Sequence, residues 1–290
     1  MDATVIGFAI VALGVFAYVV FDGFGLGVGI VFALFPDAED RDAMMRTLQH
    51  GDGAARGREG RARFAIRVAV LLAVLLALLF AALRTGHAAA LEPLTLPLMS
   101  MLACLIVRGA AFEIRARNRE SRTLGDLAFI GGSAGAALFQ GVALGLFAAG
   151  QPVAGGPSAG AVPGWLAPAP LWSGLGLVAT YALLGTCWLV ARTGGGLQRR
   201  LHRLVWPLTM ALLLFVVLVS VWTPLRDAAL ASRWFDARLF LNLAPVPLLV
   251  LVCAYWMHRA VRASRHDTPY RAALGLVALG YLGLLVDLWP

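Results

Sequence analysis

Lysine is absent from the 290 residues, and all 24 basic side chains are arginine. Charge of either sign is scarce, at 14% of residues against about 25% in a soluble domain. Three cysteines, Cys104, Cys187 and Cys253, stand singly in apolar segments, which excludes a disulfide scaffold or a CxxC metal site. The five histidines (His50, His87, His202, His258 and His266) lie in loops or at span ends, and none pairs with another at helical spacing. That pattern gives no grip on a haem within a bilayer. A Walker loop and a Ser-His-Asp elbow are also missing, so the chain by itself does not read as a catalyst.

What is abundant is hydrocarbon. Hydrophobic residues make up 60%, and the mean hydropathy is +0.80. A water-soluble fold of this length could not hide so much apolar surface. The net charge of +8 does not indicate nucleic acid, because the arginines cluster in short loops between apolar runs. That is the orientation signal of a membrane protein.

A spanning helix needs about 20 mostly apolar residues. Eight candidate spans follow: 4–34, 64–83, 94–113, 124–150, 172–191, 204–222, 239–258 and 271–289. The expected fold is all-α and polytopic, a single membrane domain of about eight helices in two four-helix halves, 1–150 and 151–290. The first run has no basic segment before it and is too long for a cleaved signal peptide. Arg115, Arg117, Arg119 and Arg122 fill the third loop, Arg192, Arg199, Arg200 and Arg203 the fifth, and Arg259, Arg262 and Arg265 the seventh. The loop 151–171 carries no charge. Odd-numbered loops are therefore expected in the cytoplasm and both termini outside. The stretch 35–63 reads as a long polar loop of mixed charge. Trp165, Trp172, Trp206, Trp222, Trp234 and Trp289 fall near span ends, as an interfacial belt should.

Within the spans, Asp22 is the acid farthest from water. Burying an ionisable group in hydrocarbon costs about 2.5–3.5 kcal/mol on insertion scales, so it calls for a functional return. Arg108 of the third span is the expected cation for it. An arginine favours the carboxylate while removal from water favours the acid, and a group held between the two can exchange a proton. Arg108 and Glu113 lie five apart, an imperfect spacing for pairing on one helix. Gln140 and Asp126 are weaker candidates, and Asp126 suits a helix N-terminal position. Gly23, Gly25, Gly27 and Gly29 predict close helix approach, not a dinucleotide loop, since no strand precedes them. Gly131/Gly135 and Gly141/Gly145 read the same way.

The run Phe21-Asp22-Gly23-Phe24-Gly25-Leu26-Gly27-Val28-Gly29 resembles the first-helix signature of subunit II of cytochrome bd-type quinol oxidases. Arg108-Gly109-Ala110-Ala111-Phe112-Glu113, Gln140-Gly141-Val142-Ala143-Leu144-Gly145 and Tyr181 to Leu189, followed by Arg192-Thr193-Gly194-Gly195, resemble further stretches of that family, and Gly280-Tyr281-Leu282-Gly283 fits a late helix. Gly25 stands where the signature has a second Asp. Of the family's W-D-G-N-E/Q-x-W-L only Asp52 and Gly53 survive, and residues 54–92 show little likeness to it. Family members continue past Trp289-Pro290, so a truncated or short variant is expected.

The resemblance implies an inner-membrane respiratory oxidase that oxidises ubiquinol or menaquinol and reduces dioxygen to water. This chain would ligate no cofactor. Haem b and haem d would belong to the partner, subunit I, with lipid and a small accessory subunit as further partners and no nucleic acid. It would serve as scaffold and as part of a proton route, with Asp52 at the mouth, Asp22 further in, and Arg108 and Glu113 in support. The alternatives are a small-solute or ion transporter, which would need broken helices at mid-membrane in both halves, and a degenerate, non-conducting relative. Leu243-Ala244-Pro245-Val246-Pro247 offers such an interruption in the second half only.

Overall fold

The computed structural model describes residues 3–51, 92–117, 121–148, 164–226 and 245–288. Every regular element among them is helical. In chain order these are α1 (Ala3–Phe32), α2 (Ala38–Gly51), α3 (Glu92–Arg117), α4 (Arg122–Ala148), a short 3-10 turn (Gly164–Leu166), α5 (Pro168–Arg192), α6 (Gly195–Arg226), α7 (Pro245–Arg262) and α8 (Thr268–Leu288). The protein is an all-α polytopic membrane protein. Four stretches, Pro93–Arg115, Arg122–Phe147, Pro168–Arg192 and Gly195–Ser220, are long and apolar enough to cross a bilayer. They coincide with four of the expected spans. The expected span 64–83 lies outside the described residues.

The chain divides into two compact units, Met1–Gly185 and Thr186–Trp289. In the first unit the core is built from α1, α4 and α5 up to Gly185. Leu26, Val28, Val31 and Phe32 of α1, Phe129 and Ala136 of α4, and Tyr181 and Leu184 of α5 are fully buried. Leu96, Met99, Ile106 and Val107 of α3 are exposed, as side chains facing lipid would be. In the second unit α7 packs on α8 and α6, and Leu201, Val205 and Met257 are fully buried.

The stretch 35–63 is not all loop. After Phe32 three successive i→i+3 bonds tighten the chain, ending at Phe35, and Pro36 follows. A polar helix, α2, then begins behind Asp37. Glu39 and Asp40 in its first turn favour the positive end of the helix dipole, and Ala, Met, Leu, Gln and Arg propagate it. Counting charges marks such a segment as polar but does not distinguish a helix from a loop. Pro245 opens α7, where its missing N–H costs nothing, so it does not interrupt that helix. At the other end of α7, Ser264 adopts a left-handed φ of 51°, and the Arg265 amide donates to the Ala260 carbonyl at 3.0 Å.

Candidate functional site

Asp22 is buried on α1, and its position follows from the glycines around it. Glycines at 23 and 27 face α5, while 25 and 29 face α3 and α4. A β-carbon at Gly27 would stand 1.8 Å from the Tyr181 carbonyl oxygen, so the α1 and α5 backbones touch there. On the other side, Arg108 of α3 reaches under Gly25. Its Nη1 lies 3.2 Å from Asp22 Oδ1 and 3.4 Å from Oδ2. Tyr18, one turn earlier on α1, donates its hydroxyl to Oδ2 at 3.1 Å. The side chains of Arg108 and Asp22 are only 12% and 8% exposed, which makes this a buried pair. Removing one partner of such a pair leaves an uncompensated charge, at a cost of about 3–5 kcal/mol.

The register of α4 is set against α3 and α1. Gly132 packs on the backbone of Cys104 and Arg108, and Gly29 packs on Ser133. Gly131, grouped with Gly135 on spacing alone, has nothing within 4 Å among the described residues, so the contact belongs to its neighbour Gly132. Gly141 and Gly145 meet Gly174 and Ser173 of α5. Near the same level, the Tyr181 hydroxyl donates to Gln140 Oε1 at 3.0 Å.

Some ten residues further along, past the end of α1, a second polar cluster forms from arginines of α2, α3 and α4. Arg41 of α2 donates to Asp126 Oδ2 at 3.0 Å and to the Phe35 carbonyl at 2.7 Å. Arg115 of α3 pairs with both Asp126 and Asp42, and Arg122 lies 3.5 Å from Asp42. Asp126 is thus a buried partner of two arginines, not a helix-end residue; α4 already begins at Arg122. The guanidinium groups of Arg41 and Arg115 also lie over the Phe32 ring, at 5.2 and 5.4 Å from its centre. Phe32 meets Phe129 edge-on, and Phe129 meets Phe112 in the same way. An aromatic layer therefore stands between the two polar clusters.

Of the residues singled out by sequence, the structure brings Asp22 and Arg108 together. Glu113 is exposed on α3. Five residues turn a helix by about 140° beyond one full circle, which carries it off the Arg108 face. Asp52 lies outside the described residues. Sequence reasoning passed over Tyr18 and Ser133, although both stand at helical spacing from acids: Tyr18 four before Asp22, Ser133 seven after Asp126. Asp126, Ser133 and Gln140 recur every seven residues, a polar stripe on an apolar helix.

His202, His258 and His266 are engaged with protein groups. A ring nitrogen of His202 is 2.9 Å from the Val261 carbonyl, His266 lies edge-on to His202, and the His258 ring packs at 4.3 Å from Trp206. Among the described residues no three His, Cys, Asp or Glu side chains converge as a metal site.

Residues 67–290 match the family described as cytochrome bd terminal oxidase subunit II. The match includes the Arg108, Gln140 and Tyr181 stretches; the glycine-rich run around Asp22 precedes it. No curated protein matches the chain.

Proposed function

Because the chain belongs to the cytochrome bd terminal oxidase subunit II family, we propose that it is the subunit of a quinol oxidase that scaffolds a haem-bearing subunit I and carries part of a proton route. The family is part of a haem-containing oxidoreductase complex, and membership implies association with subunit I. The finer reading is quinol oxidation coupled to reduction of dioxygen to water in a bacterial inner membrane. Its reaction consumes protons, and a buried carboxylate is a means of delivering them. Haem b and haem d supply the electron transfer when bound in the partner; this chain's residues hold and move protons.

The observation that supports this reading is the buried Asp22–Arg108 pair, with Tyr18 on the second carboxylate oxygen. A carboxylate bound by one cation and one hydroxyl still has lone pairs free to accept a proton. Arg108 stays charged throughout, so it orients the carboxylate and does not exchange. Orientation matters because proton transfer requires donor and acceptor within hydrogen-bond reach or one water apart. In this reading the basic loops face the cytoplasm, with the Arg115–Asp126 cluster on that side and the termini outside.

The test is purification of the chain from its membrane with whatever binds it. A haem-containing second subunit and quinol-dependent oxygen uptake are expected. In that complex Asp22→Asn keeps the shape and removes the exchangeable proton. Turnover should fall while haem spectra stay unchanged. A chain that purifies without haem protein would overturn the subunit assignment. Full turnover in the variant would remove Asp22 from the route.

A further inference from the structure

Two contacts fix how α6 and α7 of the second unit lie against each other. A ring nitrogen of His202 is 2.9 Å from the Val261 carbonyl, and Trp206, one turn along, packs on His258. Position 202 is therefore level with 261 and 206 with 258, and the two helices run antiparallel. At about 100° per residue, Arg199 and Arg203 stand on one side of that seam and Leu201 and Val205 on the other. On α7, Arg262 and Tyr255 share the side of the two arginines, while Met257 and Ala260 share the opposite one. Burial agrees with this division. Leu201, Val205, Met257 and Ala260 are buried, whereas Arg199, Arg203, Tyr255 and Arg262 are exposed.

Three arginines thus share one exposed face of the seam. With a rise of about 1.5 Å per residue, positions 199, 203 and 262 fall within about 6 Å along the helix axes. Arg203 turns back toward Arg199, its Nε 3.5 Å from the Arg199 carbonyl. None of the three meets a carboxylate among the described residues, in contrast to Arg41, Arg108 and Arg115 of the first unit. Like charges gathered in this way repel, and an anion between them removes the repulsion. The planar guanidinium fork matches the oxygens of a phosphate.

Toward the middle of the helices the same face turns apolar. Met210 and Leu214 of α6 and Leu251 of α7 are exposed on it, with Tyr255 at the boundary. Since α6 is long and apolar enough to cross a bilayer, this part of the face meets acyl chains. A free phosphate would use the arginines alone. A ligand with phosphate at one end and hydrocarbon at the other uses the whole face.

We propose that the seam between α6 and α7 binds an acidic glycerophospholipid of the leaflet on the arginine side. Its phosphate lies among Arg199, Arg203 and Arg262, and an acyl chain runs along Met210, Leu214 and Leu251. Tyr255 sits at the depth of the glycerol, where a ring with a polar tip is favoured. The site rests on the membrane placement of α6 and not on the oxidase reading or the proton route.

The test uses the full chain, purified with the subunits that accompany it and stripped of lipid by detergent exchange. Phosphatidylglycerol is titrated in, and lipid-bound chain is counted by native mass spectrometry. Phosphatidylglycerol should bind more tightly than phosphatidylcholine, and its binding should weaken with added salt. Arg203→Gln combined with Arg262→Gln should raise the Kd for phosphatidylglycerol about tenfold or more. Arg271→Gln, at an exposed arginine of α8, should leave it unchanged. The double variant keeps Arg199, Arg200, Arg259 and Arg265 to orient the chain. If it does not accumulate, Arg203→Gln alone should show a smaller rise in the same direction, and an unchanged Kd there would refute the site. Equal binding of phosphatidylcholine, or an equal loss in Arg271→Gln, would reduce the effect to general attraction and overturn the proposal. Displacement of the lipid by an equal concentration of inorganic phosphate would assign the face to a free anion instead. Loss of an accompanying subunit from the double variant, with phosphatidylglycerol binding intact, would make the face a protein contact and likewise overturn it.

Discussion

The guanidinium of Arg108 reaches Gly25 with its Nη2, 2.6 Å from the place a β-carbon at 25 would take. The same guanidinium holds Asp22 at 3.2 Å. A methyl at 25 would collide with the end of a long side chain, which can swing away, and not with backbone. Gly25→Ala should therefore assemble but pull Arg108 off Asp22. Its phenotype should resemble that of Arg108→Ala, and combining the two should add little. Turnover of the assembled complex, measured for both single variants and the double, checks this coupling. Additive losses would show that Gly25 acts elsewhere.

Gly27 offers the opposite case. Its β-carbon would stand 1.8 Å from the Tyr181 carbonyl, and rotamer changes cannot move backbone oxygen. Gly27→Ala should separate α1 from the middle of α5 and abolish assembly. Gly131→Ala meets nothing within 4 Å and should be tolerated, gaining up to about 1 kcal/mol in helix propensity. Membrane yield and melting temperature of the two variants distinguish a packing glycine from an idle one.

At the arginine-rich end, Asp126 answers both Arg41 and Arg115. Asp126→Asn should cost about 3–5 kcal/mol, because two partly buried cations lose their carboxylate. Arg41→Ala should cost less, since Asp126 keeps Arg115 and Arg41 is the more exposed of the two arginines. Thermal unfolding in detergent gives the order of the two effects. Limited proteolysis within α2 should accelerate in both, as Arg41 ties that helix to α4.

Orientation is tested by labelling. Cysteines introduced at Arg117 and Gly160 should react with a membrane-impermeant reagent from opposite sides, since 114–123 is arginine-rich and 151–171 is uncharged. Reaction from one side only would refute the alternating arrangement.

Most of the architecture was legible from the residues. Apolar runs of spanning length, the arginine loops, and the isolation of Asp22 in hydrocarbon all rest on local composition. The energetic cost of exposing polar backbone or burying charge in lipid acts on each segment separately. The choice of Arg108 as the partner for Asp22 followed from the same cost, since a cation is needed and few lie deep enough.

Pairing across helices was decided by the tertiary structure. Arg41 and Asp126 are 85 residues apart, and no spacing rule joins them. They meet because α2, read from its charges as loop, is a helix, and because glycine contacts set the rotation of α4. A residue's face is a property of one helix; its partner depends on the depth and rotation of two. Glu113 faces away from Asp22, and Ser133 packs on Gly29, for this reason. The sequence determined which segments lie in the membrane and which acid could not stand there alone. The packing of α1, α3 and α4 through Gly25, Gly29 and Gly132 decided which side chains surround that acid.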